Sequence, residues 1–296
     1  MCGIVGIFIK NKNLENKLGL FLSKMIDNMS SRGPDSAGFA IYNPIKDKKL
    51  YKYSLCIPYN FNINFMINDF KKKFKDIKYK KISDHVVITT SEIPNIFISY
   101  VDNKYNEISI VGYGKSIEIF KQVGNPKDVV KKLKLDSFKG THGIGHTRMA
   151  TESAITTNGS HPYSTGEDVC LVHNGSLSNH NNLRRVLRKK GKFFNSKNDT
   201  EVAAGYISEN LKSKTLSNTL NDSLADLDGF YTFIAGTKNG FAILRDKIAC
   251  KPAVIAETKD YVAIASEFQA MAHLPNVHKA KIFEPQPGRV YFWENQ

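Results

Sequence analysis

Position 2 constrains this chain more than any other. Met1 is followed at once by Cys2 and the run Gly3-Ile4-Val5-Gly6-Ile7-Phe8, so removal of the initiator methionine leaves a cysteine with a free α-amino group. Such an amine titrates near about 7.7–8.0, against about 8.5 for an ordinary thiol, and can take the thiol proton; nucleophile and base then reside in one residue. Cysteine is small enough for the preceding methionine to be trimmed. The apolar run behind it reads as a buried strand near residues 3–10 that holds the terminus still. Taken alone, the same residues also suit an ordinary first strand, and the remaining segments must decide between the two.

After that strand, Leu14, Leu18, Phe21, Leu22, Met25 and Met29 recur at spacings of three and four and place an apolar stripe along a helix, which Ser30-Ser31-Arg32-Gly33-Pro34 ends. A strand is expected from Ala37 to Tyr42. The loop Arg32-Gly33-Pro34-Asp35-Ser36 sits between them, either as a helix stop with a local Arg–Asp pair or as part of a site. Residues from about 44 to 139 carry no catalytic pattern. Val86–Thr90, Ile96–Val101 and Ile108–Val111 read as strands and Val129–Leu135 as a short helix, an elaboration inserted into the domain. His85 and Glu92 are isolated there and read as surface or internally satisfied groups.

Polar chemistry resumes at Gly143-Ile144-Gly145-His146-Thr147-Arg148-Met149-Ala150-Thr151. A short strand here delivers an arginine and two threonines, donors that grip a carboxylate, although a structural salt bridge would use the same arginine. His161-Pro162 follows, then an apolar run and the turn His173-Asn174-Gly175. An Asn amide beside an unobstructed glycine N–H offers two donors to one oxygen, as an oxyanion hole requires, and is equally an ordinary Asn-Gly turn. Leu177–Lys190 reads as a helix with stripe Leu183, Val186 and Leu187, capped by Ser178 or Asn179. Asn198-Asp199-Thr200-Glu201 opens another, Val202–Leu211, where a carboxylate either caps the helix or receives an ammonium group.

Composition narrows the function classes. The chain has 296 residues, 41% of them hydrophobic, enough for a sizeable core in one large domain or two small ones. Its four cysteines, Cys2, Cys56, Cys170 and Cys250, lie far apart without a CxxC pair, so no metal site or disulfide framework is expected, and a cytoplasmic setting fits. No basic-then-apolar leader and no stretch of about 18–20 apolar residues is present, so no membrane association is expected. The net charge of +14 concentrates in two clusters, Lys71–Lys81 and Arg184–Lys192, that carry no recognition motif; they read as solvated faces, and nucleic acid is not the expected partner.

Together the segments MCGIVGIF, SRGPDSAG, GHTRMAT, HP, VHNG, NDTEVAA, DGFYTFIA and LRDKIACKP resemble, in order, the class II or N-terminal-nucleophile glutamine amidotransferases. The resemblance covers about 1–42 and 140–275. It implies an α+β fold, a sandwich of two antiparallel β-sheets between helical layers (αββα), in one domain over 1–296 with the insertion at about 44–139. It further implies that Cys2 attacks the side-chain amide of glutamine and forms a glutamyl thioester, with Asn174 and Gly175 holding the oxyanion. By the same resemblance, Arg148 binds the substrate α-carboxylate and Asp199 its α-ammonium, Thr151 and His161 occupy pocket positions, and Arg32 orders a lid and the first strand.

Many relatives have tryptophan after the arginine of GHTR and a small polar residue or histidine after the following Ala-Thr. Met149 and Glu152 stand there in this chain, which leaves the acceptor system open. The segments GHTRMATESA, SHPYSTG and VHNGSLSNHNNLRR are most similar to the stand-alone amidotransferase subunit of N-methylglutamate synthase and other glutamate-synthase-like assemblies. The chain ends at Gln296, soon after the matched region, so the acceptor site is expected on a separate synthase subunit carrying a flavin, with no cofactor in this chain. An independent N-terminal-nucleophile amide hydrolase and a non-catalytic regulatory or nucleic-acid-binding relative are the alternatives.

Overall fold

A computed structural model describes residues 2–150 and 155–295. In chain order the elements begin with β1 (Gly3–Ile9), α1 (Leu18–Asp27), β2 (Ser36–Tyr42), β3 (Tyr51–Cys56), α2 (Ile63–Lys73), β4 (Lys78–Ile82), β5 (His85–Thr90), α3 (Pro94–Lys104), β6 (Ser109–Gly114), β7 (Ile117–Val123) and α4 (Pro126–Lys132). Then come β8 (His142–Arg148), β9 (Tyr163–Gly166), β10 (Val169–Leu177), α5 (His180–Lys189), α6 (Asp199–Asn210) and α7 (Leu216–Asp226). The chain closes with β11 (Gly229–Thr237), β12 (Gly240–Arg245), β13 (Val254–Glu257), β14 (Tyr261–Ala265), β15 (Lys281–Phe283) and β16 (Tyr291–Glu294).

These strands form a seven-stranded sheet in the order β15-β13-β14-β1-β8-β2-β7 and a five-stranded sheet, β16-β12-β11-β10-β9. All their ladders are antiparallel. Strand β1 shows why the two sheets stack. Its odd residues Val5, Ile7 and Ile9 pack with Leu18, Leu22 and Met25 of α1, while its even residues Ile4 and Phe8 pack with Val172, Ile234 and Phe241 of the second sheet. A strand buried on both faces must be apolar throughout, as this one is. The outer face of the second sheet is closed by Val202, Ala203 and Ile207 of α6 and Leu220 of α7. The result is the expected αββα sandwich.

Several local expectations shift. Residues 96–101 form part of α3 and not a strand: Pro94 sits in its first turn, Phe97 and Val101 are buried four apart, and Ile96 is exposed, a helical and not an alternating pattern. The first helix is α1, preceded by a 3-10 turn at Lys12–Lys17. Leu177 ends β10, and α5 buries Arg184 and Leu187 while Val186 is exposed. Asn179 occupies the cap position of α5, but its side chain bonds Asp226 O at 2.9 Å instead.

The segment 44–139 does two things. Strands β3–β6 make a separate sheet, β4-β5-β3-β6, whose core with α2 and α3 includes Tyr53, Phe70, Val86 and Phe97. By contrast β7 pairs along the whole of β2, and α4 supplies Val129 and Val130 to the α1 layer. The elaboration is thus narrower than 44–139, because the inward face of β7, Ile117 and Ile119, belongs to the inter-sheet core. Asp168, with φ 54°, clasps the two parts: its carboxylate accepts the backbone N–H groups of Lys115, Ser116 and Ile117 at 3.0, 2.8 and 3.0 Å.

Candidate active site

Alternation along three strands brings the predicted residues to one end of the inter-sheet layer. On β1 the even positions face the second sheet, and Cys2 continues that series. On β8, Ile144, His146 and Arg148 face the same way; Gly3 pairs with Thr147, so Cys2 and Arg148 share the strand end. On β10, Cys170 and Val172 face back, and Asn174 is next in the series. The sheets are stitched here by His146, whose Nε2 donates to His173 O at 3.0 Å.

Cys2 is half-buried, with its Sγ 3.8 Å from Met149 O. Its main chain is fixed from two sides. Arg32 Nε donates to Cys2 O at 3.1 Å, and the same guanidinium pairs with Glu267. Two residues on, Ile4 N–H donates to Ser266 Oγ at 3.0 Å while Ser266 N–H donates to Ile4 O at 2.9 Å. The loop 32–36 is no mere helix stop, because Asp35 N–H donates to Arg148 O at 3.0 Å and its carboxylate accepts Ala150 N–H at 2.7 Å. Asp35 therefore bonds across to the Arg148 segment and not to its neighbour Arg32. Arg148 itself is buried and Met149 is exposed. Thr151 and Glu152 lie outside the described residues.

Asn174 is buried, and its Nδ2 has no hydrogen-bond partner among the described residues. A buried amide donor left open is costly and is the group a site keeps for a ligand oxygen. Gly175 must be glycine: its φ is +148°, and a Cβ there would lie 2.0 Å from Phe230 O. The turn reading of His173-Asn174-Gly175 fails, since all three are inside β10, paired with Phe233, Thr232 and Tyr231.

Thr200 joins the second layer. Its hydroxyl donates to Asp199 Oδ1 at 3.2 Å and lies 2.8 Å from His161 Nε2 and 2.9 Å from His173 Nδ1. One hydroxyl proton serves one acceptor, so both imidazoles donate to Thr200. His161 also stacks on His146 with centroids 3.9 Å apart. Burial pulls His146 down to about 3, against its bond to the His173 carbonyl. It likewise holds His161 well below the ordinary value, with the Lys121 and Arg148 cations adding to the effect. Both rings are neutral at pH 7.

Asp199 stands in the first turn of α6. Its Oδ2 accepts Leu177 N–H at 2.9 Å, and Oδ1 lies 3.7 Å from His173 Nδ1. Burial opposes its ionisation, but the nearby His173 ring and the Leu177 and Thr200 N–H groups outweigh that and bring it down to about 2. The loop before it is held by Arg184, which donates to Ser196 O and Asn198 O at 2.5 and 3.0 Å, and by Glu201, which accepts the N–H groups of Asn195 and Ser196 at 2.7 Å.

Sequence reasoning missed these supports. The motifs that hold Thr200, Glu201 and His173 assign them no role, and Arg184, expected on a solvated face, is instead buried with its guanidinium on carbonyls. It also missed that Cys56, Asp84 and His85 bring ligand-type atoms within 4.8 Å of one another. That group is satisfied internally: His85 Nδ1 donates to Asp84 at 2.9 Å and Nε2 accepts Lys121 N–H at 3.3 Å. Burial, with Asp84 adding, pushes the Cys56 thiol up to about 11.

Residues 146–273 match the model of a glutamine amidotransferase domain. The chain is 49% identical to the glutamine amidotransferase-like protein GlxB of Rhizobium meliloti (strain 1021), over 100% of this chain and 99% of that protein. It is 32% identical to the glutamine–fructose-6-phosphate aminotransferase (isomerizing) of Methanococcus maripaludis, over 56% of this chain and 29% of that one. Among solved structures, the glutamine phosphoribosylpyrophosphate amidotransferase from B. subtilis shares the fold, with a TM-score of 0.64 at 20% identity over 99% of this chain and 47% of that one.

Proposed function

This chain belongs to the glutamine amidotransferase family and has the class II fold, and from that premise we propose that it is a glutaminase subunit with Cys2 as its N-terminal nucleophile. Once Met1 is removed, the α-amino group takes the thiol proton and the thiolate attacks the side-chain amide carbon of glutamine. The oxyanion is held by Asn174 Nδ2 and Gly175 N–H. The proton on the amine passes to the leaving nitrogen, the C–N bond breaks, and ammonia departs from a glutamyl thioester; water, deprotonated by the same amine, releases glutamate and restores the thiol.

Arg148 pairs with the substrate α-carboxylate and Asp199 with its α-ammonium, Thr151 and His161 lining the pocket between them. Arg32 acts by fixing the Cys2 carbonyl and ordering the lid. The observation that carries the reading is the open buried donor of Asn174 on the strand face turned toward the end where Cys2 and Arg148 meet. Ammonia release from glutamine, asparagine and simple acyl amides tests it. Turnover of glutamine that Cys2→Ala abolishes is the expected result, and equal turnover of simple amides would favour an independent amide hydrolase.

The ammonia is delivered to a separate synthase subunit, of the N-methylglutamate synthase or glutamate-synthase-like kind, that carries the acceptor site and a flavin; this chain needs no cofactor and works in the cytoplasm. Support comes from the resemblance of the Arg148, His161 and Asn174 segments and from a match that covers only 29% of an aminotransferase acting on a sugar phosphate. Among the described residues no helix is long and apolar enough to cross a membrane. Co-purification with a flavoprotein that raises glutamine turnover is the expected outcome, and full turnover unaffected by any flavoprotein fraction would refute the assignment.

A further inference from the structure

Strand β7 presents Ile117, Ile119 and Lys121 in succession to the interior. A lysine as third member of an apolar stripe is expensive, since a buried ammonium loses its hydration. Lys121 is only 4% exposed, and among the described residues no carboxylate forms an ion pair with it. Its partners are instead the carbonyls of a single loop. Nζ lies 2.8 Å from Ser160 O and 3.4 Å from both Asn158 O and Pro162 O, and 4.6 Å from the centroid of the Tyr163 ring at the loop's end.

The neighbouring strand makes room for this loop. Gly38 pairs with Lys121, and a Cβ on it would lie 2.2 Å from His161 O. Gly38 thus admits the chain and Lys121 ties it down, three donors to three acceptors. The loop carries His161, whose ring stacks on His146 and bonds Thr200, which in turn bonds Asp199.

We propose that Lys121 is a positioning residue of the glutamine pocket, gathering the carbonyls of residues 158, 160 and 162 so that His161, and through Thr200 the Asp199 carboxylate, stand where substrate requires them. The proposal rests on the glutaminase reading for what the pocket binds, while the clamp stands on geometry alone. Burial pulls the Lys121 amine down to about 8, partly offset by Glu201, Cys56 and Cys170, so the protein bears a cost here that an apolar residue would avoid.

Lys121→Met keeps the length and burial and removes the donors. Loss of charge-assisted bonds that hold a binding residue should raise KM for glutamine roughly 10-fold, with kcat within about 3-fold. Amide hydrogen exchange should quicken in residues 155–163 and stay unchanged in β1 and β10. Lys121→Arg, which keeps charge and donors, should recover most of the KM. Unchanged KM with unchanged exchange in Lys121→Met would overturn the proposal, as would exchange that quickens throughout the sandwich. Should the wild type fail to turn over glutamine, the glutaminase reading falls separately, and selective loss of protection in 155–163 still decides for or against the clamp.

Discussion

Replacing Asp199 with asparagine separates support of the β10 end, where its carboxylate accepts Leu177 N–H, from the proposed capture of an ammonium group. The fall of its pKa from 3.8 to about 2 means that the folded state favours the ionised form by about 2 kcal/mol. A carboxyl depressed on folding contributes stability that is complete above its unfolded pKa and is lost as pH falls through its folded pKa. Asp199→Asn should therefore destabilise by about 2 kcal/mol at pH 7, and the gap to wild type should shrink between pH 4 and pH 2.5, measured by urea unfolding at each pH. Loss of a charged contact to the substrate ammonium adds a second effect, a KM for glutamine raised about 10- to 150-fold for a bond of about 1.5–3 kcal/mol. If KM stays within about 2-fold of wild type while stability falls as calculated, Asp199 supports the strand end and does not bind substrate. A destabilisation that persists unchanged to pH 2.5 would show that charge is not its source.

A diazo-ketone glutamine analogue should label Cys2 alone, read by peptide mass mapping of protein whose intact mass lacks Met1; Cys170 is buried with its thiol pushed up, and Cys56 sits at about 11, so labelling at either would overturn the assignment. Exposed Cys250 should react with general thiol reagents but not with the analogue. Asn174→Ala should lower kcat by on the order of 10²–10³ with little change in KM, and unchanged turnover would remove it from the oxyanion site. Asp168→Ala strands three N–H groups, two of them buried, and should cost on the order of 3 kcal/mol in urea unfolding; a loss below about 1 kcal/mol would mean that water replaces the carboxylate.

The sandwich was legible because its strands obey period two or are apolar on both faces. Cys2, Arg148 and Asn174 are expected in one site through the family resemblance, each segment alone leaving an ordinary structural reading open. What escaped was of two kinds. The stretch 96–101 is apolar and short, where helix and strand look alike, and the helix start at Pro94 tipped the balance. Strand β7 lay inside a stretch without motifs, so its partnership with β2 could not be read from local pattern.

The other hidden part is what keeps the strand ends still. A residue at the end of a strand has ladder bonds on one side only, so its position depends on whatever meets the last peptide. Each end here is met by a buried or partly buried charged side chain. Arg32 holds the Cys2 carbonyl and is itself paired with Glu267; Asp35 bonds the backbone on both sides of Met149; Lys121 gathers the loop of His161; Arg184 and Glu201 fix the peptide before Asp199. Lys121 lies outside the segments that carry the family resemblance, and nothing in the local sequence of Lys121, Arg184 or Glu267 distinguishes them from surface charges. Buried charges satisfied by carbonyls and N–H groups are directional, so they set position where an apolar contact would allow sliding. The precision of the proposed glutamine pocket therefore depends as much on these clamps as on the motif residues that the clamps present.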